Sequence, residues 1–88
     1  MATRDAVYRA IDSERDYQDN LWPGRGVGEP NHLTVGEFVL LLEEYILKAR
    51  AEWTVESKPE VNTLDIVRKV AGIAVNCMEQ NGAPMRGG

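Results

Sequence analysis

The segment Asp5 to Trp22 constrains this chain most, because its helical period is apolar at the edges and polar at the centre. Wound at about 3.6 residues per turn, it places Val7, Tyr8, Ala10, Ile11, Tyr17, Leu21 and Trp22 in one half of the wheel. Arg9, Asp12, Ser13, Asp16, Asp19 and Asn20 fill the other half, as a solvated face does. Glu14 and Gln18 nevertheless fall at the centre of the apolar half, with Arg15 near its edge beside Tyr8. A buried amide or carboxylate without a partner costs about 1–3 kcal/mol or more. These groups therefore either bond to another part of the protein or face something polar that binds. A lone monomer has little reason for such a break, so the expectation is that this half of the helix meets another subunit. Glu14 and Gln18 then act as a supporting shell that holds Tyr8 and Arg15 toward a shared pocket.

The chain has 88 residues, enough for one small domain over 1–88. A chain of this size buries only about 60% of its unfolded surface, and disulfides, a metal or oligomerisation usually assist such domains. One cysteine, Cys77, rules out an internal disulfide and suits a reducing compartment. One histidine and one cysteine make no zinc set, which leaves oligomerisation. The N-terminus is charged from Arg4 onward, so no signal peptide is read. The longest apolar run, Phe38 to Leu42, falls far short of the ~20 residues that span a bilayer. A soluble, intracellular protein with no membrane partner is expected. The net charge of −4 disfavours duplex nucleic acid, where many phosphates need basic contacts. It is compatible with a small phosphorylated ligand.

Two further helices are predicted. Thr34-Val35-Gly36-Glu37 reads as a capping box opening a helix that runs to about Trp53. Its main apolar arc is Phe38, Val39, Leu41, Leu42, Tyr45, Ile46, Ala49 and Trp53, and Leu40, Leu47 and Ala51 form a second, narrow stripe. The last helix is expected to start near Asn62 or Thr63 as N-cap, and to end at Asn81-Gly82 before Pro84. More than half of its circumference is apolar, from Leu64 and Ile66 through Ile73 to Met78. One antiparallel neighbour covers only part of that surface, so the remainder needs another chain. The connection Thr54 to Val61 carries Pro59, and the tail from Met85 to Gly88 is expected to be frayed. The predicted fold is all-α: a short N-terminal helix followed by a long antiparallel helical hairpin, assembled into a homo-oligomer.

Between the first two helices, residues 23–33 form a loop with three glycines and two prolines. Arg25 lies between two of those glycines, where exposed amides and a guanidinium can cradle a phosphate. The alternative is a flexible connector with an exposed arginine. The spacing matches neither a P-loop nor a dinucleotide fingerprint. Tyr8 beside Arg15, with Arg4 one turn before, offers an aromatic face for a nucleobase next to basic groups. Alternatively, Tyr8 packs in the core. Arg68 precedes Gly72 by one turn, and a mid-helix glycine marks close backbone approach or open space. Arg68 either reaches a ligand phosphate or pairs with Glu14, Glu43 or Glu79. His32 reads first as a hydrogen-bonded loop residue.

Catalysis is not expected. The acidic residues of the two long helices lack the paired spacing with which all-helical nucleotide pyrophosphatases hold magnesium. There is no serine–histidine–acid pattern, and Cys77 lies on an apolar face without a base. No metal or cofactor is implied.

Three motifs occur in order: Glu14-Arg15-Asp16-Tyr17-Gln18-Asp19; His32-Leu33-Thr34-Val35-Gly36-Glu37-Phe38; and Arg68-Lys69-Val70-Ala71 leading to Met78-Glu79-Gln80-Asn81-Gly82. Together they resemble the phage anti-CBASS type 2 sponges and the helical hairpin these share with Thoeris anti-defence sponges. The resemblance implies a non-enzymatic protein that assembles as a hexamer in the cytoplasm of the infected bacterial host. Such proteins sequester cyclic oligonucleotide messengers, namely cyclic dinucleotides such as cyclic GMP-AMP between protomers and, in some members, cyclic trinucleotides at separate sites. It assigns base stacking to Tyr8 and phosphate contact to Arg25, with Asn31 and His32 as alternatives for that contact. It assigns the trinucleotide pocket to Arg68, with Thr34 as a neighbour, although Thr34 is also expected to cap helix two. The alternatives are a sponge for cyclic ADP-ribose isomers on the same hairpin, and a purely structural helical oligomer whose polar contacts fix register.

Overall fold

A computed structural model describes residues 1–54 and 59–87. These residues form three helices and no strand: α1, Arg4–Leu21; α2, Val35–Trp53; and α3, Pro59–Asn81. Thr3 caps α1 by accepting a hydrogen bond from the Ala6 amide at 3.1 Å. The capping box of α2 is complete. The Glu37 amide donates to the Thr34 hydroxyl at 3.2 Å, and the Thr34 amide donates to the Glu37 carboxylate at 3.0 Å.

α3 begins earlier than its composition suggests, at Pro59 rather than at Asn62 or Thr63. Proline suits a first helical position, where no amide donor is required and φ is already set. Asn62 does not cap; its side-chain Nδ2 donates to Glu52 Oε1 at 2.8 Å. The expected connection from Thr54 to Val61 is thus partly helix, and its residues 55–58 lie outside the described residues. α3 ends as expected. Gly82 adopts φ 116°, and its amide donates to the Met78 carbonyl at 2.8 Å. Residues 82–87 carry no regular secondary structure, and Gly88 lies outside the described residues.

α3 is the element on which the others pack. α1 and α2 each pack on α3, and no Cα of α1 lies within 8 Å of one in α2. The start of α2 meets the end of α3, where the Leu33 amide donates to Gln80 Oε1 at 2.8 Å and Asn81 donates to the Leu33 carbonyl at 3.1 Å. The end of α2 meets the start of α3 through Glu52 and Asn62.

The contact between α1 and α3 is polar. The buried residues of α1 are Glu14, Arg15 and Gln18, all at 6% exposure or less, while the apolar flanks Tyr8, Tyr17, Leu21 and Trp22 are about half exposed. The break in the stripe is therefore the packed surface itself. Its groups are satisfied within one chain, which corrects the expectation that a second subunit must bond them. Gln18 donates to Glu14 at 3.0 Å and accepts from Arg15 at 2.6 Å. Arg15 donates to Glu79 at 2.9 Å and also to Asp19. Glu14 accepts from Arg68 at 3.0 Å.

Gly72 makes this approach possible. A Cβ at that position would lie 2.8 Å from Glu14 Cγ and 3.0 Å from Gln18 Nε2. Overpacking of this kind costs about 1–3 kcal/mol, against about 1 kcal/mol gained in helix propensity. Gly72→Ala is expected to lower the urea-unfolding free energy by up to about 2 kcal/mol, measured at fixed protein concentration.

Apolar burial is sparse. Among the described residues only Phe38, Ala49 and Ile73 are buried hydrophobics. Leu40, Leu47, Trp53, Val61 and Leu64 are all more than half exposed. The radius of gyration is 14.3 Å, against about 12 Å for a compact chain of this length.

At the α2 N-terminus, hydrogen bonds from the Thr34 amide and hydroxyl hold the Glu37 carboxyl below its ordinary value of 4.5. Because its folded value is lowered, this contact stabilises the fold above about pH 4.5. That stability is lost as pH falls through the folded value. Glu37→Gln is expected to flatten this acid-side decline in a pH series of thermal melts.

Candidate functional site

The loop between α1 and α2 is ordered by its glycines and by the end of α3. Gly24 and Gly28 take φ of 75° and 84°, conformations that other residues adopt at a cost. The Asn31 amide donates to the Gly24 carbonyl at 2.9 Å, and the Asn31 side chain donates to the Pro23 carbonyl. His32 Nδ1 lies 3.0 Å from the Arg25 carbonyl. A carbonyl only accepts, so Nδ1 carries the hydrogen and Nε2 of the neutral ring remains an acceptor. Gln80 ties the loop to α3, accepting from the Leu33 amide and donating to the Asn31 carbonyl at 3.3 Å.

Within this loop Arg25 is held rather than free. Its Nη1 donates to Asn76 Oδ1 at 3.3 Å and lies 3.1 Å from Asp19 and 3.7 Å from Glu79. Arg15 shares the same two carboxylates, so two guanidiniums face two carboxylates and the cluster is neutral as a set. The hydrogen bond of Arg25 and its shortest approaches to both carboxylates are made by Nη1; Nε and Nη2 donate no hydrogen bond to the described residues. Arg25 and His32 line a cavity of about 380 Å³ together with Gly26, Val27, Glu79 and Gln80. That volume lies at the low end of small-molecule sites.

The sequence-predicted residues therefore divide. The loop brings together Arg25, Asn31 and His32. Tyr8, 58% exposed, stands near the other end of α1, separated from Leu21 by a helical rise of about 20 Å. Thr34 is committed as a cap in both directions, since its hydroxyl also donates to Glu37 at 3.0 Å. Arg68 is paired with Glu14 and, at 2.9 Å, with Asp65. Its hydrogen bond to Glu14 is the main cause that raises its pKa further. Thr34 sits by the end of α3, whereas Arg68 lies 13 residues before Asn81. That interval is about 20 Å of helix, so one chain does not make these two residues neighbours.

Asn76, Glu79 and Gln80 place the loop and were not singled out as site residues from sequence. Their signal was present: polar residues at i, i+3 and i+4 share one side of an otherwise apolar helix. Among the described residues, no group of three or more His, Cys, Asp or Glu side chains is placed to hold a metal ion. No helix among them is long and apolar enough to cross a membrane.

No known protein family, curated protein or solved structure matches this chain.

Arg15 is the most enclosed cation of the cluster, at 5% exposure. Its removal leaves Gln18 and two carboxylates short of a donor. Arg15→Met is expected to destabilise the protein by about 1–3 kcal/mol in chemical denaturation. It should also increase proteolytic cleavage within residues 23–33, because Asp19 and Glu79 lose the group that fixes them beside Arg25.

Proposed function

We propose that this protein is a non-catalytic sponge of the anti-CBASS type 2 kind. In this reading it is a homo-oligomer, most simply a hexamer, of antiparallel helical hairpins that each carry a short N-terminal helix. It sequesters cyclic dinucleotides such as cyclic GMP-AMP between protomers in the cytoplasm of an infected bacterium. The observation that carries the reading is Arg25. One guanidinium nitrogen is fixed by Asn76, Asp19 and Glu79, leaving Nε and Nη2 for a bidentate contact with a phosphate beside a 380 Å³ cavity. The hairpin rests on the end-to-end bonds of α2 and α3.

The two-chain site rests on distance. The half-exposed Tyr8 ring and the Arg25 loop lie toward opposite ends of α1, so stacking and phosphate contact at one ligand draw on two protomers. Assembly is supported by surface area. The chain exposes 6803 Å², whereas a compact monomer of 9.8 kDa exposes about 5,200 Å². Trinucleotide binding at Arg68 requires the ligand to compete with Glu14 and Asp65, so Arg68 stands outside the proposed dinucleotide site.

Titration calorimetry with a panel of cyclic dinucleotides is expected to give saturable heat, with intact ligand recovered after the complex is heated. Arg25→Ala and Tyr8→Ala should each weaken binding at least about tenfold, the equivalent of 1.4 kcal/mol, and leave the oligomer mass unchanged. Absence of heat with every ligand at micromolar protein sinks the proposal. Cyclic ADP-ribose isomers in the same panel test the Thoeris alternative. A purely structural oligomer is the second reading, favoured by the internal pairing of Arg68 and the double commitment of Thr34. It gives no ligand-dependent rise in melting temperature, whereas a ligand at 100 times its dissociation constant adds about 2.7 kcal/mol per site.

A further inference from the structure

The cleft between α1 and α2 borders the ligand site proposed above, with which it shares Arg25 and Asn31. The two helices pack on α3 with their backbones more than 8 Å apart, and the gap between them has a volume of about 430 Å³. Tyr17, Leu21 and Trp22 line it from the α1 side, Leu41 and Tyr45 from α2, and Ile73 of α3 lies at the floor. The side-chain amides along it are already bonded within the chain. Gln18 bonds Glu14 and Arg15, Asn31 donates to the Pro23 carbonyl, and Asn76 accepts from Arg25 and Gln80. Besides Glu14, Arg25 and Lys69, the lining is mainly apolar and aromatic, which suits apolar side chains.

We propose that this cleft is a self-association face, in which the cleft of one copy receives Tyr17 and Trp22 of the partner subunit in an isologous contact. The inference rests on the oligomeric reading above and names the surface that builds it. Two observations select a second copy as the occupant. The first is area. The surface in excess of a compact monomer is about 1,600 Å², about twice the ~800 Å² that one partner contributes to a standard interface. The second is shape. The same patch holds a concave floor at Ile73 and projecting rings at Tyr17 and Trp22, which are 60% and 49% exposed. A patch with both hole and knob meets its own copy about a two-fold axis without any other complementary surface. The separate Leu40 and Leu47 stripe, 68% and 55% exposed, is left for a second contact that extends dimers into a larger closed assembly.

Native mass spectrometry of the full chain, alongside Tyr17→Asp and Trp22→Asp, tests this face. Both variants are expected to reduce the mass to half of the wild-type assembly or less, with helicity retained by circular dichroism. In a Trp53→Phe background, emission reports Trp22 alone, and it should move to longer wavelength over the dilution range in which the wild-type assembly dissociates. If the wild type assembles and both folded variants keep its mass, the cleft is not the interface, although the oligomeric reading stands. Trp22 emission that stays constant while the assembly dissociates overturns the face in the same way, and it decides the matter should the aspartate variants lose helicity. A wild-type mass of one chain, alone or with an apolar small molecule bound, overturns the oligomeric reading and this inference together.

Discussion

Glu14 and Gln18 lie against Gly72, and the arrangement of this protein depends on that contact. α1 has no apolar residue fully buried, so the helix is attached by a bonded set of polar groups. Glu14, Arg15 and Gln18 bond one another and reach Arg68, Glu79 and, at 3.5 Å, the Lys69 carbonyl. The glycine matters because side-chain carboxylate and amide groups can enter only where the facing backbone carries no Cβ. Buried ionic networks add little net stability relative to well-packed apolar residues, since desolvation offsets their attraction. They do penalise wrong registers, because a shift of one turn strands several buried groups at once.

That choice of glue shapes the rest of the molecule. When the centre of the α1 stripe is spent on polar contacts, its apolar flanks stay about half exposed. Tyr17, Leu21 and Trp22 then border a cleft instead of filling a core. α3 serves both neighbours and still keeps Leu64 and Val67 about half exposed or more. Three buried hydrophobic side chains among the described residues are few for an independent domain of this size. This deficit links the fold to the proposed assembly.

The network also continues into the loop. Asp19 and Glu79 bind Arg15 on one side and Arg25 on the other, so the interior of the α1–α3 contact and the Arg25 guanidinium of the loop share the same carboxylates. A chain with net charge −4 can present a cation to an anionic ligand if that cation is fixed in direction, and Arg25 is fixed through one nitrogen with two others left over. The glycines at positions 24 and 28 and the Gln80 side chain set where the loop runs.

Much of the local structure was legible from residue order. The Thr34–Glu37 capping box, the glycine stop at Gly82, the three helical periods and the loop all depend on neighbours a few residues apart. The close approach implied by Gly72 and one of the partners considered for Arg68, namely Glu14, could also be read from spacing. The start of α3 could not, because Pro59 is compatible with either a linker or a first helical turn. Nor could the direction of the break in α1. From residue order alone it follows that Glu14, Arg15 and Gln18 need partners, because burial without them is too costly. That those partners lie in the same chain follows from the packing alone, since residues more than fifty positions apart meet only once α1 is laid across Gly72.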